Sequence, residues 1–227
     1  YLFGNPNLPI TETMRNAWIV MAFILFLCLF LTHRMQKIPK GKQALAEKAV
    51  VMIENLVDNT MGSGCRAFAP YIATLLMSSL FGSLASLFCM RPVTADLNTT
   101  LGWALITFVL ITYNKIRYGG LKGYLKSFLE PVFVMAPLNV LSEVATPVSM
   151  SFRHFGNMAG GLVISTLILG ALEVLSNSLL GFLPVPLLQI GLPGILSLYF
   201  DCFTACMQAF IFSMLTMAYV GDARGSS

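Results

Sequence analysis

The residues of this sequence whose types and spacing could do chemistry are charged and amide side chains set inside apolar runs, and the chemistry is the handling of an ion. Arg153 stands near the middle of 147–161, inside a hydrophobic span that continues to Gly170. A guanidinium cannot shed its charge, and an Arg at the centre of a bilayer helix costs from about 2.5–3.5 to about 10–17 kcal/mol, depending on the scale. It therefore calls for a partner charge or a water-filled path. Asn157 follows at i+4, on the same helical face. Asp201 and Gln208 are seven apart in the next apolar segment, about 10 Å along one face of a helix. Glu143 lies ~15 Å to one side of Arg153 along a continuous helix, and Glu173 ~30 Å to the other.

Each has a plainer alternative. Asn157 and Gln208 also read as interhelical hydrogen-bonding groups, worth about 0.6 kcal/mol on average in one bundle. Asp201 also reads as a static ion-pair partner of Arg153, though a buried pair is a weak source of stability. Glu173 fits an interfacial position, and His154 fits packing or a hydrogen bond better than a relay. Gly156, Gly160 and Gly161 form a small-residue face that packs helices closely and would let a helix of another subunit approach beside Arg153. There is no Gly-x-x-x-x-Gly-Lys-Ser/Thr loop, no Cys/His metal cluster and no nucleophile–base pair. No cofactor or metal site is expected. These side chains can move an ion; they cannot make bonds.

The elements that must position them are membrane helices. The chain has 227 residues, 56% hydrophobic and 11% charged, against about 25% charged in soluble domains. Its net charge of +4 comes from basic residues that flank apolar runs with no aromatic platform between them, which fits membrane orientation and not nucleic acid. The five cysteines, at 28, 65, 89, 202 and 206, have no disulfide-framework or metal spacing; Cys202 and Cys206 read as packing residues.

We expect an all-α polytopic membrane protein: one membrane domain with about five segments, two of them long, tilted, kinked C-terminal helices forming a hairpin. A tail (1–16) precedes a first span at 17–32, with Trp18 as interfacial anchor. An amphipathic helix at 43–59 is too polar to span and lies along the surface. Further spans fall at 70–89 and 97–113, the latter capped by Asp96 or Asn98. Residues 128–140, with Pro131 and Pro137, form a bent approach to the long segments 138–178 and 194–219. At ~1.5 Å per residue, 138–178 is about twice the hydrocarbon thickness and must be tilted or broken, with Pro147 as the kink point. His33, Arg34, Lys37, Lys40, Lys42 and Lys48, and later Lys115, Arg117, Lys122 and Lys126, mark the inner side. The proline-bearing loop 181–193 has no basic residue and fits the outside. The N-terminus is then outside and the C-terminus cytoplasmic. Because 138–178 and 194–219 run antiparallel, Asp201 falls outward of Arg153, Gln208 near its level, and Glu143 inward. Arg153 would divide an outer wet path from an inner one.

Three stretches carry a family resemblance. Ser149-Met-Ser-Phe-Arg-His-Phe-Gly-Asn-Met158 closely resembles the signature of subunit a of the F-type ATP synthases, in a form that resembles bacterial and plastid members more than mitochondrial ones. Ala95-Asp-Leu-Asn-Thr-Thr-Leu101 resembles that family's third-span entry, and Met207-Gln-Ala-Phe-Ile-Phe212 its final-helix motif. The resemblance implies a stator subunit of a bacterial plasma membrane, beside a ring of c subunits, peripheral-stalk b subunits and an F1 head, with two offset aqueous half-channels. Arg153 takes the place of the essential arginine that displaces the proton or Na⁺ from each rotor carboxylate. Asn157, Gln208 and Asp96 match polar positions of the outer half-channel, Asp201 occupies the partner position on the last helix, often His or Glu elsewhere, and Glu143 falls in the region lining the inner half-channel; Glu173 is a further candidate for the outer entry. Leu162 stands where the family often has an ionisable residue, and His154 where it usually has Leu. An independent channel or secondary transporter, or a membrane anchor, would leave the three motifs without a reason.

Overall fold

The computed structural model describes residues 11–33, 35–36, 41–62, 64–88, 90–129, 136–179 and 192–225, apart from the side chains of 129, 177, 179, 192–200 and 225. Residues 1–10 of the expected tail, Arg34, Lys37, Lys40, Cys89, Pro131 and the loop prolines Pro184 and Pro186 lie outside the described residues. Among the described residues six α-helices follow one another: α1 (Glu12–Thr32), α2 (Lys42–Met61), α3 (Ala69–Leu84), α4 (Leu97–Leu129), α5 (Ala136–Leu179) and α6 (Leu192–Gly225), with short 3-10 turns before and after α3 and before α4. Among the described residues four stretches, Glu12–Thr32, Arg66–Phe88, Ala136–Ser176 and Asp201–Arg224, are long and apolar enough to cross a membrane.

Helix α1 begins at Glu12, earlier than the apolar run suggests, because the Thr11 hydroxyl accepts from the Met14 amide at 3.3 Å and Glu12 sits in the first turn. It touches the bundle lightly: Asn16, buried, donates to the Arg91 carbonyl at 3.0 Å. Most of its apolar side chains, Trp18, Phe23, Phe26, Leu29 and Phe30 among them, stay exposed. An apolar surface of that extent needs lipid or another protein against it. Helix α2 buries Ile53 and Val57 against Ile72 of α3 and Met217 of α6. Its last turn lies so close to α6 that a Cβ at Gly221 would come 3.4 Å from the Met61 Cα.

Helices α3, α4, α5 and α6 form the packed body. Leu75, Ala104, Met150 and Phe212, one from each helix, make its central cluster. The polar residues of α4 are what bind it to its neighbours: Thr100 pairs with Ser151 of α5 at 3.1 Å, and Thr107 with Tyr71 of α3 at 3.0 Å. In a low-dielectric interior such pairing avoids the cost of leaving a hydroxyl unsatisfied. Helix α4 runs past the expected end of its apolar stretch to Leu129, turning at Gly120, whose φ of 70° suits glycine alone. Helix α5 is 44 residues long, with Pro147 inside it and not at its end. At 1.5 Å per residue it measures roughly 66 Å, so it crosses a hydrocarbon layer of about 30 Å only at a steep tilt.

Candidate functional site: an outward arginine between two cavities

The two faces of α5 are unlike. Pro147, Met150, Ser151, His154 and Met158 are buried in the body, a spacing of three and four that traces one helical stripe. His154, 1% exposed, is held by a 3.2 Å hydrogen bond with Ser79 of α3 and by ring contacts with Trp103 (6.2 Å) and Phe212 (5.5 Å). On the opposite stripe Phe152, Arg153, Gly156 and Asn157 are exposed. A Cβ at Gly156, Gly160 or Gly161 would meet no atom within 4 Å. The arginine is thus presented outward, beside a strip of small residues where the helix backbone is accessible.

Two groups of cavities flank that level. One, about 320 Å³, is walled by Asn139, Ser142, Glu143 and Thr146 of α5, Lys115 of α4, and Tyr219 and Asp222 of α6. Lys115 Nζ donates to Glu143 Oε1 at 2.9 Å, and Tyr124 Oη donates to the same oxygen at 3.3 Å. Burial, and then the Glu143 carboxylate, pushes the Tyr124 phenol above its ordinary range, which keeps it a donor. The other, about 560 Å³, has Phe155, Ala159 and Leu162 of α5 on one side, Asp201 of α6 on another, and Ser86, Arg91 and Pro92 closing it. A cleft of about 500 Å³ shares Arg91, Ala95 and Phe155 with it and reaches Asp96. Along α5, no residue between Thr146 and Phe155 lines any of these three cavities. Within that interval Pro147, Met150, Ser151 and His154 are buried in the body, while Val148, Ser149, Phe152 and Arg153 are exposed.

The structure therefore gathers Asp201, Leu162 and Ser86 at one cavity and Glu143, Lys115, Tyr124 and Asp222 at another. Arg153 and Asn157 share the exposed face, whereas Gln208 is 4% exposed, turned between the helices. Asp96 caps α4, accepting from the Asn98 amide at 3.0 Å while it lines its cleft. Glu173 is exposed toward the far end of α5. Sequence reasoning counted Lys115 only as an orienting charge and overlooked Tyr124. They lie 28 and 19 residues from Glu143, and nothing local links them to it.

Helices of this length and apolarity, with cavities on both sides of an arginine inside a candidate span, define a polytopic all-α membrane protein. Comparison with known proteins names it more narrowly. The model of the ATP synthase A chain family matches residues 14–221. The sodium-ion-specific ATP synthase subunit a of Propionigenium modestum is 32% identical, over 99% of this chain and 78% of the relative. Subunit a of Moorella thermoacetica is 32% identical, over 97% of this chain and 94% of the relative. The chain belongs to the ATP synthase subunit a family, the ion-translocating stator subunits of the Fo motor. It is a multi-pass protein of a bacterial plasma membrane and a member of the ATP synthase complex.

Proposed function

We propose that the two cavity groups are half-channels that carry protons to and from carboxylates on a ring of c subunits, with Arg153 as the fixed cation between them. The observation that carries this is the placing of the Glu143 cavity and the Asp201 cavity on either side of the 147–154 stretch of α5, which contains Arg153 and lines neither. A charge crossing 100 mV gains about 2.3 kcal/mol, so coupling requires that no continuous wet path short-circuit the rotor. Arg153 attracts an ionised rotor carboxylate and repels free protons. The strip of glycines beside it, where an added Cβ would meet no atom, lets a rotor helix come close. Asp201, Asn157, Gln208 and Asp96 serve the half-channel on the outside, with Glu173 at its entry, and Glu143 serves the one on the cytoplasmic side. The N-terminus is outside and the C-terminus cytoplasmic. The spans are 17–32, 70–89, 97–113, 138–178 and 194–219, with 43–59 along the inner surface. The b subunits of the stalk and the F1 head complete the machine, which runs toward ATP synthesis or hydrolysis according to the ion gradient.

The test is Arg153→Ala in the whole complex, reconstituted in vesicles: ATP-driven pumping is abolished, and pumping at the parent rate refutes the role. A second reading, Na⁺ in place of H⁺, draws support from the sodium-specific relative. Protection of the complex by Na⁺ against carbodiimide labelling would establish it; no protection assigns protons.

A further inference from the structure

The Glu143 cavity holds two carboxylates from different helices, Glu143 on α5 and Asp222 on α6, and one ammonium, Lys115 on α4. Tyr219 of α6 also lines it, and Tyr124 of α4 donates to Glu143; among the described residues these are the titratable groups that line the cavity or bond to the pair. Neutral oxygen ligands are added by Asn139, Ser142 and Ser127. Carboxylates combined with amide and hydroxyl oxygens are the donor set of a hard multivalent cation such as Ca²⁺. A path that holds such an ion does not conduct, because a conducted ion must bind weakly enough to leave. The Lys115 and Glu143 side chains are only 34% and 14% exposed, so their attraction is less screened than that of a surface pair. Both the ammonium and the Tyr124 hydroxyl bond to Oε1 of Glu143, and neither bond uses Oε2.

We propose that Lys115 is a specificity-determining residue of this half-path, its tethered ammonium supplying the counter-charge that a multivalent cation would otherwise supply, so that the cavity stays open to protons or monovalent ions. This rests on the reading that ions pass the Glu143 cavity. Because the ammonium is covalently held, it neutralises the site without having to dissociate for each passing ion.

The experiment uses the whole complex in inverted vesicles, with Ca²⁺ added to the medium and ATP-driven pumping as readout. The response of the nucleotide-binding head to Ca²⁺ is common to all variants and cancels between them. In Lys115→Gln, half-inhibition occurs at a Ca²⁺ concentration lower by on the order of tenfold. Lys115→Arg and the double variant Lys115→Gln/Glu143→Gln respond to Ca²⁺ as the parent does. Unchanged Ca²⁺ sensitivity in Lys115→Gln overturns the proposal, as does a double variant as sensitive as the single one. Should Lys115→Gln fail to assemble, Glu143→Gln alone decides: it removes one carboxylate and keeps the ammonium, so a rise in Ca²⁺ sensitivity overturns the proposal and parent or lower sensitivity supports it. None of these outcomes bears on Arg153, whose own substitution tests the half-channel reading separately.

Discussion

The cavity at Glu143 and the cavity at Asp201 are walled by the same two helices, α5 and α6, yet they are made of different material. At Glu143, charges from three helices meet, and the carboxylate is compensated by an ammonium at 2.9 Å. At Asp201 the α5 wall is largely apolar, Phe155, Ala159, Leu162 and Val163, and the acid of α6 has the Ser86 hydroxyl beside it. One cavity distributes its polarity over several groups, so the loss of one leaves others. The other concentrates its ionisable chemistry in one carboxylate, with Arg91 at its rim. Two cavities of such different make-up should respond differently to single substitutions.

The largest effect comes from joining the two. On the proposed reading, Arg153→Ala removes the fixed cation between them and takes ATP-driven pumping to background. Next is the loss of the lone acid: Asp201→Asn slows proton entry about tenfold, the change that ~1.4 kcal/mol on a barrier produces. Stopped-flow measurement of vesicle acidification checks it, and an unchanged rate at every pH removes Asp201 from the path. A rescue sharpens the comparison. Leu162, 36% exposed, lines the same cavity, so Leu162→Glu in the Asp201→Asn background supplies a second acid and recovers a few-fold of the lost rate. No recovery would mean that the α5 wall does not face the ion's route. The smallest effect is at Glu173, which is exposed toward the end of α5, outside both cavities. Glu173→Gln changes the rate by less than about twofold, as expected for a screened surface charge; a larger loss would make the entry narrower than its exposure implies.

How much of this was legible in the sequence depends on the range of the forces involved. The apolar run at 17–32 belongs to α1, and only its start differs, because a hydroxyl cap and an acidic first turn extend a helix beyond its apolar residues. The continuation of α4 to Leu129 was not legible, since Lys115, Arg117 and Lys122 read as a loop while Gly120 allowed the helix to turn and go on. Arg153, Asp201 and Glu143 stood out by type alone, as charges in apolar runs. Lys115 and Tyr124 did not, because their connection to Glu143 spans 28 and 19 residues and exists only where α4 and α5 pack.

The sequence by itself determined the class and the family: apolar runs long enough to cross a bilayer, basic residues between them, and three motifs in order. Only the tertiary structure decided how α5 is rotated. Both of its stripes near Arg153 are apolar with a few polar groups, so the pattern alone does not choose which one is buried. The choice is made by partners on other helices. Thr100 bonds Ser151, Ser79 bonds His154, and the rings of Trp103 and Phe212 close around the imidazole. A buried hydroxyl or imidazole left unpaired costs about 1–3 kcal/mol. That stripe therefore turns inward, and Arg153, one residue before His154, is carried to the outer face.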